Sequence, residues 1–510
     1  MSIIRKINKI LIANRGEIAL RIMRSAREMG IKTVAVFSMA DRNALHVRYA
    51  DEAVCIGEAA SSQSYLRGDK IIEVAKQLNV DAIHPGYGFL SENAVFAQQV
   101  ADAGLIFVGP SPQTIEVMGS KLAAKESAKK NNVPMVPGTP SAITDIPEAK
   151  KISKEIGYPI LIKASAGGGG KGMRIVENEE EFEEQMERAV SEAISSFGDG
   201  AVFIEKYILS PKHIEVQVLG DKYGNIISLF ERECSIQRRH QKVIEEAPSP
   251  ILTPAVRKAI GEAAVEVAKS CNYYNAGTVE FVMDTNLNFY FLEMNTRLQV
   301  EHPVTEQITG IDLVKQQIKI AQGEVLEIKQ EDLKILGHAL EVRVYAEDPR
   351  NNFLPDIGNL ATYVRPQGAG VRVDDGFEQG MDIPIYYDPM IAKLVTFGKD
   401  RTEAIERMKR AIDEYQIVGI ETTLPFCSFV LNHEEFISGK FDTGFVGKYF
   451  TPAVLDKKLS ESEEKVAAAL VATFLGEKKT TKNPTKNNQK NNSTTEKNTK
   501  QVSNWRKNRV

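Results

Sequence analysis

Apolar positions along this chain recur with two periods, and the changes between them divide it into segments. Lys9-Ile10-Leu11-Ile12-Ala13-Asn14 is a short apolar run. Gly16 to Gly30 then repeats its apolar residues at helical spacing, and Thr33-Val34-Ala35-Val36-Phe37 is apolar again. Strand, helix, strand in that order predicts an open parallel sheet. The pattern returns with Asp81-Ala82-Ile83, a helical stretch and Leu105-Ile106-Phe107-Val108-Gly109. A helix is expected from Ser120, and Val133-Pro134-Met135-Val136-Pro137-Gly138 then breaks the chain. Beyond it, Tyr158 to Lys163, Met173 to Val176, Ala201 to Ile208, Ile214 to Val218, Thr278 to Met283 and Phe289 to Leu292 read as strands. His338 to Asp348 alternates as a strand, and Thr402 to Tyr415 has helical spacing. The expected fold class is α/β and α+β: a Rossmann-like open sheet over 1–119, a central domain over 120–333, an α+β domain over 334–450 and a tail from 451 to 510.

The most informative stretch is Glu293-Met294-Asn295-Thr296-Arg297-Leu298-Gln299-Val300-Glu301-His302. The apolar run Phe289 to Leu292 leads straight into these charges, which are costly at a buried strand end unless partnered. Asp284-Thr285-Asn286-Leu287-Asn288 is a turn signal. A hairpin folded about Asn286-Leu287 puts Glu280 opposite Glu293, with Cβ atoms about 4.5–5.5 Å apart. Two anions at ~5 Å repel by roughly 3 kcal/mol at an effective dielectric of 20. A bulge, a shared proton or a divalent cation would relieve this. Asn295 shares the face of Glu293, and Glu280, Glu293 and Asn295 are all oxygen ligands that suit Mg²⁺ or Mn²⁺. With Arg297 and Glu301 close by, the set points to phosphoryl transfer onto an oxyanion.

A nucleotide site is then expected elsewhere. Lys163 ends a strand that enters Ala164-Ser165-Ala166-Gly167-Gly168-Gly169-Gly170-Lys171-Gly172 and leaves as the strand Met173 to Val176. Consecutive glycines expose backbone N–H groups to phosphates. This is not a P-loop, because position 165 is Ser and Lys171 is followed by Gly. It reads as a flap over phosphates, with a flexible linker as the plainer reading. The first βαβ unit is no dinucleotide site: Asn14-Arg15-Gly16-Glu17 has one glycine where that fingerprint needs three. The loop His84-Pro85-Gly86-Tyr87-Gly88 to Asn93 follows a parallel strand. It reads as either a binding loop or a structural corner.

Composition adds limits. No stretch of the 510 residues approaches a membrane span, and Cys55, Cys234, Cys271 and Cys427 lack ligand spacing. Reduced thiols and a cytoplasmic location are the expectation. The net charge of −4 hides a tail from Glu477 to Val510 that carries +8, leaving −12 on the remainder. The tail is rich in Asn, Thr and Lys and is expected to be largely disordered. Neither nucleic acid nor membrane is expected as a partner, and Trp505 is at most a docking point.

Taken together, Ala13-Asn14-Arg15-Gly16-Glu17-Ile18-Ala19, His84-Pro85-Gly86-Tyr87-Gly88, the tetraglycine flap, Gln237-Arg238-Arg239-His240-Gln241-Lys242 and Glu293 to His302 resemble the ATP-grasp enzymes. They closely resemble the biotin carboxylase subunits of acyl-CoA and pyruvate carboxylases, over about residues 4–450. Ala166 and Lys171 depart slightly from that family's flap. The resemblance implies an ATP-grasp central domain with a mobile lid over about 136–205, and ATP-dependent carboxylation of biotin by bicarbonate. By position it implies that Lys121 and Lys163 bind ATP phosphates and that Gly169 and Gly170 lie in the closing flap. Glu205, Lys206, Tyr207 and Ile208 would line the adenine pocket, with His213, Gln237 and His240 completing the nucleotide site. Glu280, Glu293 and Asn295 would hold Mg²⁺ or Mn²⁺. Lys242, Arg297 and the Val300 backbone would hold bicarbonate, Glu301 would be the base, and Arg343 would face the ureido oxygen of biotin.

A biotin carrier presents Met-Lys on a tight hairpin, whereas the one Met-Lys here, Met408-Lys409, falls in a helical pattern. The chain also ends before a carboxyltransferase would fit. The expected partners are therefore a separate biotin carboxyl carrier protein and a carboxyltransferase subunit, and the resemblance implies a homodimer. The final acceptor is expected to be acetyl-CoA or propionyl-CoA, with pyruvate as the alternative. Another ATP-grasp carboxylate–amine ligase and a non-catalytic nucleotide-binding regulator are the competing classes. Lys242, Arg343 and Glu301 speak against both.

Overall fold

The structure is a computed structural model that describes residues 4–139, 141–164, 173–197, 200–456, 465, 466, 469 and 471. The chain divides into two compact units, Met1–Leu455 and Asp456–Val510. Residues 451–456 of the expected tail are described, with a 3-10 turn at Pro452–Leu455. Lys465, Val466, Ala469 and Val471 are helical, and the rest of the tail lies outside the described residues.

The first unit opens as the sequence pattern predicts. Strands β1 (Lys9–Ile12), β2 (Lys32–Ser38), β3 (Glu52–Gly57), β4 (Ala82–His84) and β5 (Ile106–Phe107) form a parallel sheet in the order β3-β2-β1-β4-β5. Ile10, Leu11, Ile12, Ile83, Val34 and Val36 are buried, because helices cover both faces of a parallel sheet. The strand order reverses beside β1, and loops at such a switch point are where ligands bind. Asn14 fastens the two loops there, donating to the carbonyls of Pro85 at 2.8 Å and Tyr87 at 2.7 Å. Gly86 is needed in this corner: its φ is +65°, and a Cβ would meet Asn14 Nδ2 at 2.9 Å.

β6 (Ile160–Ala164), β7 (Met173–Val176) and β8 (Val202–Lys206) make a small antiparallel sheet, in the order β7-β6-β8. Ile160, Ile162, Phe182, Met186, Val202 and Ile204 form its separate core with helix Phe182–Phe197. The glycine loop does connect two paired strands, β6 and β7. Gly169 and Gly170 themselves lie outside the described residues.

The largest element is an eight-stranded antiparallel sheet. It contains β9 (Lys212–Gly220), β10 (Ile226–Arg238), β11 (Gln241–Ala247), β12 (Asn275–Met283), β13 (Phe289–Asn295) and β14 (His338–Tyr345). Two short ladders follow, β15 (Glu347–Asp348) with β16 (Leu354–Pro355) and β17 (Thr362–Val364) with a late strand, β20 (Gln416–Val418). β18 (Val371–Asp375) and β19 (Met390–Gly398) complete the large sheet in the order β13-β12-β9-β10-β11-β14-β19-β18. The sheet therefore runs unbroken past residue 334, through the pairing of β11 with β14.

Alternation decides which side of this sheet does chemistry. Ile214, Val216 and Val218 of β9 and Val279, Phe281 and Met283 of β12 share a core with Ile260, Ala264 and Val267 of helix Pro254–Ser270. His213, Glu215, Gln217, Thr278 and Glu280 then point to the other face. β13 joins them through an irregularity. Phe281 pairs with Phe291, but Glu280 pairs with Glu293, so Leu292 is an extra residue. The turn is tighter than a hairpin centred on Asn286-Leu287: Asp284 Oδ1 accepts from Asn286 N at 2.8 Å and Asn288 N at 2.9 Å, and Leu287 takes φ +65°. The bulge then brings Glu293 opposite Glu280 while Phe289, Phe291 and Met294 stay on the core side.

Phe281 meets Phe289 and Phe291 edge-on at 5.5 and 6.4 Å. Phe281→Ala is expected to cost about 3–5 kcal/mol, whereas Leu292→Ala, at a 43% exposed residue, should cost under about 0.5 kcal/mol. Chemical denaturation of the two variants side by side checks this, and equal losses would contradict the assignment of Leu292 to the bulge.

Candidate active site

A line of charge crosses four adjacent strands. Glu293 on β13 is opposite Glu280 on β12, Glu280 is opposite Glu215 on β9, and Glu215 is opposite Arg232 on β10. Glu215 and Arg232 are fully buried. The Arg232 guanidinium donates to Gln217 Oε1 at 2.8 Å, Thr305 Oγ1 at 3.0 Å, Thr278 Oγ1 at 3.0 Å and Glu215 Oε2 at 3.3 Å, and it also meets Gln299.

Lys242 of β11 closes the cluster. Its ammonium contacts Glu215, Glu280 at 3.1 Å and Glu301 at 2.7 Å. Burial pulls the Lys242 pKa down, but Glu215, Glu301 and Glu280 outweigh it and hold the pKa well above its ordinary value. Glu280 Oε1 also accepts from Asn295 Nδ2 at 2.7 Å and Gln299 Nε2 at 2.8 Å, and its Oε2 lies 3.0 Å from His213 Nε2. Burial alone would raise the Glu280 carboxyl, yet Lys242 and His213 hold it far below the carboxylate range. Glu215 is likewise lowered to about 2, where Lys242, His213 and Arg232 overcome burial. His213 faces both acids and rises to about 9, because they more than offset its own burial.

Glu301 sits at the start of helix His302–Thr309, 2% exposed. Its second oxygen accepts from Arg343 at 3.1 Å. Burial raises its pKa, but Lys242, Arg343 and Arg232 bring it below the ordinary value. Arg343 also donates through Nε to Glu245 Oε1 at 2.6 Å. Arg297 is held from a different part of the chain: Glu92, in the loop after β4, accepts from Arg297 Nε at 2.9 Å and from Thr296 N at 3.0 Å.

One cavity of about 400 Å³ is lined by His213, Gln237, His240, Lys242, Glu280, Glu293, Asn295, Arg297, Val300, Glu301 and Arg343. A second, of about 530 Å³, is lined by Gly16, Tyr87, Gly88, Tyr345, Tyr386 and Asp388, and again by Arg297, Val300 and Arg343. Those three residues stand between the two spaces. Glu280 and Glu293 offer carboxylate oxygens from facing strands, which fits a hard divalent cation. Asn295 here spans Glu280 and Arg297, its Oδ1 accepting from Arg297 at 3.0 Å. His213, Glu215 and Glu280 also have ligand atoms within 4.8 Å of one another.

The remaining expected residues cluster at the small sheet. Lys163 forms an ion pair with Glu205, which also pairs with Lys125 at 3.0 Å. Lys206 donates to the carbonyls of Gly157 at 2.8 Å and Tyr158 at 2.9 Å. Tyr207 N donates to Pro159 O at 3.1 Å, and Ile208 follows, half-buried. The side chain of Lys121 lies outside the described residues. Sequence reasoning missed Glu215, Gln299 and Glu245 as parts of the site, and it included Arg232 and Glu92 only within longer runs, the charged stretch Glu231 to Lys242 read as an anion site and the loop His84 to Asn93. Polar residues at 213, 215 and 217 of an otherwise apolar strand were a usable signal. The partners of Arg232 and Glu92 could not be read, because strand pairing and loop packing bring them from other segments.

Family models match the chain at residues 6–115 (biotin carboxylase, N-terminal domain), 120–329 (carbamoyl-phosphate synthase L chain, ATP binding domain) and 341–448 (biotin carboxylase C-terminal domain). Biotin carboxylase 1 of Bacillus subtilis is 54% identical, over 87% of this chain and 99% of its own length. The chain belongs to the biotin carboxylase family. It is thus an ATP-dependent ligase that carboxylates biotin, with ATP and Mg²⁺ as the family's cofactors. The propionyl-CoA carboxylase alpha chain of Ruegeria pomeroyi is 53% identical, over 91% of this chain and 71% of its own length. Among solved structures, the biotin carboxylase domain of a thermophilic 2-oxoglutarate carboxylase bound to bicarbonate is similar, with a TM-score of 0.84 and 47% identity over 88% of this chain and 99% of that one. The same domain from Hydrogenobacter thermophilus, in complex with MgADP, ADP and bicarbonate, has a TM-score of 0.79 at 48% identity, over 89% of this chain and 100% of that one. Among the described residues, no helix is long and apolar enough to cross a membrane.

His213 gains partners on folding, so its charge stabilises the native state. That contribution is complete below the unfolded value of about 6.5 and is lost as pH rises through about 9. His213→Gln should therefore flatten the decline of stability between pH 6.5 and 9.5, as followed by denaturation midpoints. An unchanged slope would show that the imidazole is neutral at pH 7.

Proposed function

We propose that bicarbonate and biotin meet at the partition formed by Arg297, Val300 and Arg343, with the nucleotide on the other side of it. The observation that carries this reading is that these three residues line both cavities. Lys242 and Arg297, with the Val300 backbone, bind bicarbonate. Glu280 and Glu293 hold Mg²⁺ or Mn²⁺, with Asn295 available to them once it releases Arg297. Bound there, the cation neutralises charge on the transferring phosphoryl group. Lys121 and Lys163 bind ATP phosphates under the flap of Gly169 and Gly170. Glu205, Lys206, Tyr207 and Ile208 line the adenine pocket, and His213, Gln237 and His240 complete the nucleotide site.

Glu301 is the base. In the free enzyme Lys242 and Arg343 keep it ionised. An arriving anion draws on the same Lys242 ammonium, so the proton affinity of Glu301 rises as bicarbonate binds. Deprotonated bicarbonate attacks the γ-phosphate, giving carboxyphosphate and ADP. Carboxyphosphate hydrolyses readily, so the site must exclude water. It yields CO₂ and phosphate, the phosphate removes the N–H proton of biotin, and Arg343 stabilises the resulting enolate oxygen.

Biotin reaches the second cavity on a separate carrier protein. Met408-Lys409 lies within helix Arg401–Glu414, where Lys409 pairs with Glu406 at 2.8 Å, so it is no carrier lysine. A carboxyltransferase partner then passes the carboxyl group to acetyl-CoA or propionyl-CoA, or to pyruvate if that is the partner's substrate, and the chain works as a homodimer in the cytoplasm. Purified chain with ATP, bicarbonate and free biotin should release ADP in proportion to biotin. Glu301→Gln should lower kcat by about 10²–10⁴ with little change in KM for ATP. ADP release that ignores biotin, or survives Glu301→Gln, would refute the assignment.

A further inference from the structure

β19 carries a lysine in an otherwise apolar run, Met390-Ile391-Ala392-Lys393-Leu394-Val395. Lys393 is fully buried. An ammonium withdrawn from water is tolerated only where nearby groups compensate it. Its Nζ donates to the Val300 carbonyl at 2.8 Å and lies 3.4 Å from Glu17 Oε2 in helix Gly16–Glu28. Three segments far apart in sequence thus converge on one charge.

The sheet register gives the Val300 contact its meaning. Lys393 is directly opposite Arg343 across β19 and β14, so the two side chains project from the same face as neighbours. Arg343 reaches the carboxylate of Glu301 at 3.1 Å. A laterally paired lysine and arginine therefore hold two consecutive residues, one by its backbone carbonyl and the next by its side chain. The Val300 carbonyl and the Glu301 N–H belong to one planar peptide unit. Fixing the carbonyl also fixes the direction of that N–H and the position of the Glu301 Cα from which the base projects.

We infer that Lys393 is a positioning residue for bicarbonate: with Arg343 it clamps the Val300–Glu301 peptide, so that the backbone and the base meet the anion in one fixed geometry. The inference rests on the reading of Val300 and Glu301 as bicarbonate-site residues. A displacement of about 1 Å in a reacting group can cost 10²-fold in rate, and because neither Val300 nor Glu301 is among the residues assigned to the nucleotide, loss of the clamp should be felt at bicarbonate.

The test uses the full chain with ATP, bicarbonate and free biotin. Lys393→Met removes the donor. Lys393→Gln keeps a polar head but falls short of the Val300 carbonyl, and it serves as the second variant where the methionine protein does not fold. Either should raise KM for bicarbonate at least about tenfold and lower kcat, with KM for ATP within twofold of the parent. Lys393→Arg, which restores charge and donors, should recover most of the loss. A folded variant whose bicarbonate KM stays within twofold of the parent, whatever its melting temperature, would overturn the inference. So would a loss shared equally by the bicarbonate and ATP constants. An inactive parent chain would instead refute the proposed function.

Discussion

One buried ammonium sets the terms for the rest of the site. Lys242 faces Glu215, Glu280 and Glu301 at once, in a setting where an uncompensated charge costs several kcal/mol. Arg232 and His213 supply the further positive charge that three acids require. Each group is tolerated only because the others are present, so the cluster behaves as a unit. It is also poised for change. A substrate anion or a metal ion entering the 400 Å³ cavity would redistribute the same few charges.

Such a cluster needs a rigid frame, and the eight-stranded sheet supplies it. Hydrogen-bonded register places residues as distant in sequence as Glu215, Glu293, Arg343 and Lys393 on one surface. The pairing of β11 with β14 joins the Lys242 side of the site to the Arg343 side without a hinge between them. The parallel sheet adds its own contribution from outside, through Glu92 gripping Arg297 and through Glu17 beside Lys393. The loop from His84 to Asn93, ambiguous in sequence, is thereby part of the site through Glu92.

The sequence by itself determined the βαβ opening, the antiparallel strands and the glycine loop joining two of them, because apolar period and turn residues are local properties. It also anticipated that Glu280 and Glu293 oppose one another, although by a different register from the one the folded hairpin uses. What it placed wrongly was the turn: a symmetric hairpin about Asn286-Leu287 has no extra residue, whereas the folded chain makes a tighter turn and inserts Leu292 as a bulge. Only the packing of Phe291 and Met294 against helix Pro254–Ser270 decides that parity. Lys393 was invisible as a site residue, and the partners of Glu215 and Arg232 could not be read. Their partners are brought to them by strand pairing between segments tens to hundreds of residues apart, which no local pattern encodes.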